Sequence, residues 1–161
     1  ESIHEGAPDD WERMIDTNIK GLLYVTRAVT PGMVARRAGH IVNLGSIAGR
    51  EVYPGGAVYC ATKHAVRALS QGMRQDLLPY GIRVSLICPG AVETEFSIVR
   101  FKGDNQRAAS VYDGYTPLSA DDIARTIRFS LTAPAHVDLQ DILVMPTAQA
   151  DARTIHRTPK G

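Results

Sequence analysis

Apolar positions along the chain follow two periodicities, one typical of amphipathic helices and one typical of buried strands. Helical spacing predicts three helices: one that starts at an N-cap of Asp9 or Asp10, one over residues 57–79, and one over residues 119–134. Pro31 is predicted to break or kink the first of them. Nearly continuous apolar runs predict three short strands, over residues 40–45, 83–88 and 139–145. Strands that lack polar alternation and are separated by helices indicate a parallel sheet covered on both faces.

This element order predicts a doubly wound α/β fold of the Rossmann type, forming one domain over residues 1–161. The length suffices to bury a sizeable core. Three strands, however, leave two open sheet edges, which promote aggregation when nothing else pairs there. The chain also opens on Glu1 rather than Met and enters a helical pattern almost at once. We therefore expect a fragment whose N-terminal half of the sheet lies outside this sequence.

Composition excludes several classes of protein. The chain has 18 basic and 17 acidic side chains, a formal net charge of +1 and no basic run, so we expect neither nucleic acid nor an acidic membrane as partner. No apolar stretch approaches the roughly 20 residues of a membrane helix, and residues 1–10 are unlike a secretory signal. Cys60 and Cys88 are too few for a disulfide scaffold, and the five histidines are widely spaced. We expect a soluble, cytoplasmic protein without a metal site.

Tyr59 and Lys63 are the first candidates for chemistry. They lie four residues apart near the start of the second predicted helix, so their side chains share one face. An ammonium at about 4 Å, at an effective dielectric of about 20, favours a phenolate by roughly 4 kcal/mol, or up to about three pKa units. Such a tyrosine could act as a general acid or base near neutral pH. The alternative is that the pair is ordinary helix surface.

Two further features fall near this pair in the predicted fold. Ser46 follows the first predicted strand, and Pro89 and Gly90 follow the second. Ligands of open α/β sheets bind beyond the carboxyl ends of the strands, and the helix of Tyr59 and Lys63 connects these two strands. The sequence therefore predicts a hydroxyl, an acid/base pair and a tight turn around one crevice.

Four ordered motifs resemble those of the short-chain dehydrogenase/reductase superfamily. They are Asn18-Ile19-Lys20-Gly21, Ile41-Val42-Asn43-Leu44-Gly45-Ser46-Ile47-Ala48-Gly49, Tyr59-Cys60-Ala61-Thr62-Lys63 and Cys88-Pro89-Gly90-Ala91-Val92-Glu93-Thr94. Their order and spacing match the superfamily over nearly the whole chain. The resemblance implies an oxidoreductase that transfers hydride to or from a nicotinamide.

The resemblance also implies a role for each motif residue. Tyr59 would exchange a proton with the substrate oxygen, Ser46 would bind that oxygen, and Lys63 would lower the pKa of Tyr59 and hold the nicotinamide ribose. Asn18 would fix a water that links Lys63 to solvent; the alternative is a helix residue that satisfies a bend. The residues implied to contact the cofactor are Tyr59, Lys63, Pro89, Gly90, Val92 and Thr94, the last two at the carboxamide. For Asn43 we expect a structural tie to backbone beside the strand.

A narrower resemblance concerns the segment of residues 93–104, with Thr116-Pro117-Leu118 and Met145-Pro146-Thr147 beyond it. These segments are similar to the NADP-dependent 3-hydroxy acid dehydrogenases, which act on serine, 3-hydroxypropionate and malonic semialdehyde. A carboxylate substrate requires a cation or a cluster of donors. Arg100 is the first candidate for this role and Lys102 the second. The alternative is that both are solvated loop charges.

The family's glycine-rich phosphate loop, Thr-Gly-x-x-x-Gly-x-Gly, does not occur in these 161 residues, nor does its Asn-Asn-Ala-Gly segment. NADP is therefore implied by the resemblance alone, and the residues present do not exclude NAD. Two hypotheses follow. The chain is the catalytic portion of an enzyme that forms a homo-oligomer, a dimer or tetramer; or it is an inactive remnant that serves only in subunit association. In either case we expect the isolated 161-residue chain to be inactive and poorly stable.

Overall fold

The sheet places its three strands in the order in which they occur along the chain. A computed structural model describes residues 2–100 and 103–158, apart from the side chain of Arg100. The parallel strands are β1 (Gly39–Leu44), β2 (Ile82–Pro89) and β3 (Asp141–Val144), in the order β1-β2-β3. The predicted α/β class with a parallel sheet is confirmed, and β3 is shorter than its apolar run suggested.

Helices precede the first strand and connect the strands to one another. The α-helices are α1 (Pro8–Ile15), α2 (Leu22–Arg36), α3 (Ala57–Leu77), α4 (Phe96–Arg100), α5 (Asn105–Ser110) and α6 (Ala120–Leu131). A π-helical segment, Asp16–Gly21, joins α1 to α2, and short 3₁₀ turns cover Ile47–Gly49 and Leu78–Tyr80. Periodicity missed α4 and α5 because each is under two turns long, too short to establish a helical pattern.

The first predicted helix differs from its expectation at the N-cap, and it is not broken at Pro31. Its N-cap is Ala7, and Pro8 occupies the first helical turn, where the absent N–H costs nothing. Asp9 and Asp10 lie inside the first turn, where they favour the helix dipole instead of capping it. The helix also does not break at Pro31 but continues to Arg36. The turn after the proline is held by tertiary packing, because Met33 and Val34 contact the core.

The core lies on both sides of the sheet. On one face, α2 and α3 cover a cluster formed by Met73, Leu77, Ile82 and Val84. On the other face, α6 approaches β2 through a hydrogen bond between the Ser85 and Ser130 hydroxyls, 2.8 Å apart and both fully buried. Helices on both faces of a parallel sheet are the doubly wound arrangement that the strand pattern predicted.

A buried polar chain ties this second face together and gives the fold a pH dependence. Nε2 of His40, on β1, lies 2.8 Å from Oγ of Ser85. Burial lowers the pKa of His40 below its ordinary value of 6.5; the nearby Arg83 lowers it further, and Asp138 opposes the shift. Between the lowered pKa and 6.5, the unfolded chain binds more protons than the folded chain. The free energy of unfolding therefore falls as the pH falls through this window.

We expect the substitution His40→Gln to flatten this pH dependence. Chemical unfolding measured between pH 5 and pH 8 should show a smaller loss of stability on acidification than the wild type. His136→Gln, at an exposed position, is the matched control. Equal acid slopes in wild type and His40→Gln would contradict the assignment of this pH dependence to His40.

Candidate active site

Tyr59 and Lys63 lie on the first two turns of α3, and their side chains are neighbours as the spacing predicted. Nζ of Lys63 lies 5.9 Å from the centroid of the Tyr59 ring. The turn that precedes α3 sets the start of the helix, and this turn depends on two glycines. Gly55 has a φ of 74°, and a Cβ at Gly56 would overlap the ring of Tyr53.

Lys63 connects this helix to the carboxyl end of β1. Its Nζ donates a hydrogen bond of 3.1 Å to the carbonyl oxygen of Leu44, the last residue of the strand. Burial lowers the pKa of Lys63 from its ordinary value of 10.5. An ammonium has three N–H donors, and among the described residues one of them is bonded, to Leu44. The other two N–H groups can donate to a ligand.

Ser46 follows β1 and begins the 3₁₀ turn Ile47–Gly49. Its Oγ accepts a hydrogen bond of 3.1 Å from the Ala48 N–H, which leaves the hydroxyl proton free to be donated elsewhere. The turn packs against α3 so closely that a Cβ at Gly49 would lie 2.7 Å from the carbonyl oxygen of Lys63. Ser46 is therefore held against the same part of α3 that carries Lys63.

Asn18 lies inside the π-helical segment between α1 and α2. Its Nδ2 donates to Oγ1 of Thr62 at 3.1 Å, and that hydroxyl donates to the carbonyl oxygen of Tyr59 at 2.8 Å. Thr62 is 1% exposed. π-helical segments are rare and frequently occur at functional sites. Because this segment is also an irregularity in a helix, the alternative interpretation of Asn18 as a residue that satisfies a bend fits the same position.

Sequence reasoning missed Thr62 and the π-helical segment. A π turn shifts the helical ladder by a single residue, too little to change the apolar pattern. Thr62 stands within the Tyr59-to-Lys63 motif, but nothing in the local spacing indicates that it reaches a helix 44 residues away.

A cavity of about 680 Å³ opens beside these residues. Asn18, Tyr59 and Lys63 all line it, together with mostly apolar side chains that include Trp11, Met14, Tyr53, Phe96 and Val99. The volume is within the range of small-molecule and cofactor sites. Ser46 is not among the lining residues, so the structure gathers three of the four predicted catalytic residues at this cavity.

Phe96 is a second residue that sequence reasoning missed. Its ring packs against that of Tyr59 at a centroid distance of 5.6 Å and a tilt of 45°. Because Phe96 begins α4, this contact brings the segment predicted to bind substrate to the edge of the Tyr59 ring. The short helix gave no pattern from which the contact could be predicted.

The turn after β2 contains the other residues expected to contact a cofactor. Pro89 ends the strand, and the Gly90 N–H donates to the carbonyl oxygen of Val144 at 2.8 Å. The Val92 carbonyl accepts a hydrogen bond of 2.8 Å from the Tyr112 hydroxyl, whereas the Val92 N–H has no partner among the residues that the structure describes. Thr94 is exposed, and its Oγ1 accepts a hydrogen bond of 3.3 Å from the backbone of Phe96.

The side chains of the two cations predicted to bind a substrate carboxylate lie outside the described residues. Arg100 is the last residue of α4, but its side chain lies outside the described residues, as does all of Lys102. Their role in binding a carboxylate remains a prediction.

Asn43 and the two cysteines are part of the interior. Asn43 has a structural role, as expected, but it binds side chains rather than backbone: its Nδ2 donates to Oγ of Ser70 at 2.9 Å. This correction follows from α3 packing directly over the strand. Cys60 and Cys88 are both unpaired and buried. Within residues 2–100 and 103–158, no three potential metal ligands of the His, Cys, Asp or Glu types cluster, and no helix is long and apolar enough to cross a membrane.

Comparison with known proteins identifies relatives along nearly the whole chain. Residues 1–105 match the family model described as short chain dehydrogenase. The NADP-dependent 3-hydroxy acid dehydrogenase YdfG of Salmonella typhi is 49% identical to this chain over 160 residues, and its namesake from Escherichia coli (strain K12) is 48% identical over 159 residues. Each match covers 98% of this chain and 64% of the relative. The chain thus spans about 64% of the length of these curated relatives.

Solved structures of serine dehydrogenase also match this chain over nearly its whole length. The closed form of serine dehydrogenase complexed with NADP+ matches with a TM-score of 0.93 at 48% identity, covering 98% of this chain and 64% of that one. Serine dehydrogenase from Escherichia coli matches with a TM-score of 0.78 at 41% identity, covering 93% of this chain and 59% of that one. The similarity therefore extends through the C-terminal segment beyond the family model.

Proposed function

Because the chain belongs to the short-chain dehydrogenase family, we propose that it carries the catalytic portion of an NADP-dependent oxidoreductase that interconverts a small 3-hydroxy acid and its semialdehyde or ketone. One observation carries the proposal: Tyr59 and Lys63 lie side by side at a cavity of about 680 Å³, with Lys63 bonded to the carboxyl end of β1. Relatives named NADP-dependent 3-hydroxy acid dehydrogenase support the choice of cofactor and substrate class.

The residues at this end of the sheet fit the nicotinamide half of such a cofactor. Lys63 has donors to spare for ribose hydroxyls, and the Val92 N–H is open to a carbonyl acceptor such as a carboxamide oxygen. Pro89, Gly90 and Thr94 complete the turn that would border the ring. When bound, the nicotinamide supplies or accepts the hydride.

Residues of this chain would transfer the proton to and from the substrate oxygen. Tyr59 would donate its phenolic proton to the carbonyl oxygen during reduction and take one from the alcohol during oxidation. The Lys63 ammonium would stabilise the phenolate left behind, and Ser46 would donate a hydrogen bond to the substrate oxygen as negative charge develops on it. Asn18 would fix a water that links Lys63 to solvent, and its bond to Thr62, which donates to the carbonyl oxygen of Tyr59, would hold it in place.

Substrate selection would rest on the segment that follows Thr94. A small hydroxy acid has a carboxylate, and Arg100, with Lys102 second, is the proposed anchor. Phe96 and Val99 line the cavity from the same helix and would cover the short carbon chain of the substrate.

We expect the protein, as its source organism produces it, to reduce malonic semialdehyde with NADPH faster than propanal, a neutral aldehyde of similar size. Loss of NADPH absorbance measures both rates. The variant Arg100→Ala should raise the KM for malonic semialdehyde at least tenfold while changing the KM for propanal little, because only the first substrate has a carboxylate. Equal effects on both substrates would remove Arg100 from this role.

The same assay separates the two functional hypotheses. Failure to bind or oxidise NADPH and NADH alike would favour the alternative, an inactive module for subunit association. Association as a homo-oligomer, a dimer or tetramer, and a cytoplasmic location remain part of the proposal. The unpaired, buried cysteines support a reducing compartment.

A further inference from the structure

The chain beyond β3 folds back onto the turn that follows β2. Gln149, in this returning segment, is 8% exposed. Its backbone N–H donates to the carbonyl oxygen of Pro146 at 2.9 Å, and it forms an isolated antiparallel bridge with Ile155. Gln149 is thus anchored through its backbone before its side chain makes any contact.

The Gln149 side chain is bonded at both ends of its amide. Oε1 accepts a hydrogen bond of 2.8 Å from the Ala91 N–H, and Nε2 donates one of 2.9 Å to the carbonyl oxygen of Asp151. Reversing the amide would set a donor against a donor and an acceptor against an acceptor, so the orientation is determined by its partners. The contact also requires glycine beside it, because a Cβ at Gly90 would lie 2.5 Å from this Oε1.

Tyr112 holds the next residue of the same turn from a different part of the chain. Its hydroxyl donates to the Val92 carbonyl oxygen at 2.8 Å and lies 2.6 Å from Oγ of Ser97. Ser97 is 5% exposed, so this small network is shielded from water. The Ala91 N–H belongs to the peptide before the Ala91–Val92 peptide and the Val92 carbonyl to the peptide after it, so each neighbouring peptide is held by one side chain. The peptide between them is held by the Leu118 N–H, which donates to the Ala91 carbonyl oxygen at 2.9 Å.

The returning segment also holds the stretch that carries Tyr112. Arg157 donates through Nη2 to the carbonyl oxygen of Val111 at 3.0 Å, and the Thr158 N–H donates to the carbonyl oxygen of Gly114 at 2.8 Å. The two attachments of the turn after β2 thus depend on one C-terminal segment.

We infer that Gln149 and Tyr112 are positioning residues that fix the two peptides on either side of the Ala91–Val92 peptide, which Leu118 holds through the Ala91 carbonyl, and so aim the Val92 N–H at the nicotinamide carboxamide. This inference rests on the proposed function. Neither side chain needs to touch the cofactor, and each acts through one backbone bond. Removing either bond frees one neighbouring peptide and leaves the Ala91–Val92 peptide with the Leu118 bond and a single fixed flank, so the Val92 N–H no longer points steadily at its acceptor.

The test compares two ligands that differ in the nicotinamide. With little change in side-chain volume, Gln149→Met removes the bond to Ala91 together with that to Asp151, and Tyr112→Phe removes the bond to Val92 together with that to Ser97. Titration calorimetry on the protein as its source produces it would measure Kd for NADPH and for 2′-phospho-ADP-ribose, which has no nicotinamide. We expect each variant to raise Kd for NADPH about tenfold and to leave Kd for 2′-phospho-ADP-ribose within twofold of wild type. Gln75→Met and Tyr80→Phe, on α3 and at the end of its 3₁₀ turn, should change neither value.

Each other outcome has a distinct meaning. Equal weakening of both ligands would show a general structural effect and overturn the inference, as would unchanged NADPH binding in both variants. Failure of the wild type to bind NADPH would contradict the proposed function, and the inference with it. Thermal unfolding checks each variant; if Gln149→Met does not fold, Tyr112→Phe decides the question.

Discussion

The substitution Tyr59→Phe will lower kcat by roughly a thousandfold or more, because it removes the proton that the substrate oxygen receives during reduction. Cofactor affinity should change little. A phenylalanine ring keeps the packing against Phe96 and the place beside Lys63, so the cavity retains its shape. Steady-state turnover with malonic semialdehyde, and NADPH binding followed by titration, measure the two quantities on the same preparation.

The control for this substitution is Tyr80→Phe, which removes a phenolic hydroxyl near the opposite end of α3 and should leave kcat at the wild-type value. Activity retained by Tyr59→Phe would rule out the proposed acid/base role. A parallel loss of NADPH affinity would instead indicate that the hydroxyl holds the cofactor.

Replacing Lys63 with methionine should lower kcat about a hundredfold and raise the KM for NADPH, because the ammonium both stabilises the phenolate and supplies donors for the ribose. It should also move the pH profile. In the oxidation of a 3-hydroxy acid the phenolate is the active form, so the rising limb of kcat/KM should shift to higher pH, by up to about three units.

The variant Lys63→Arg provides the matched control because it keeps a positive charge while changing the donor geometry. We expect its rising limb to stay near the wild-type pH although its kcat is lower. If the rising limb of kcat/KM stays at the wild-type pH in Lys63→Met, Lys63 has no part in the proton transfer. Thermal unfolding distinguishes these effects from loss of the fold, since Lys63 also binds the carbonyl oxygen of Leu44.

The spacing of residues along the sequence was sufficient to predict the features that depend on a single helix or on the end of a single strand. The four-residue interval of Tyr59 and Lys63 places both on one helical face in any α-helix, and the structure has them adjacent. The third predicted helix likewise begins where expected, at Ser119, which forms a capping box with Asp122 at the start of α6. Parallel strands end at a common edge, so the positions of Ser46 and Pro89 directly after predicted strands sufficed to assign them to that edge.

Two other local signals were overridden, one by packing and one by a neighbouring residue. Of the predicted break or kink at Pro31, the break did not occur, because the residues that follow it gain apolar contacts with the core that offset the lost backbone bond. The expected N-cap at Asp9 or Asp10 yielded to Ala7, because Pro8 is already suited to the first helical position. The helix propensity of a single residue contributes much less free energy than the burial of the apolar face of a helix.

By itself, then, the sequence determined the class of fold, the family motifs and the face on which Tyr59 and Lys63 meet. Only the tertiary structure decided that Thr62 accepts a hydrogen bond from Asn18, that the cavity lined by Tyr59 and Lys63 is not lined by Ser46, and that the Gln149 side chain reaches Ala91. The physical reason is that periodicity records geometry over a few residues of one backbone. Hydrogen bonds between distant segments depend on how whole elements pack, and no local period of the sequence contains that information.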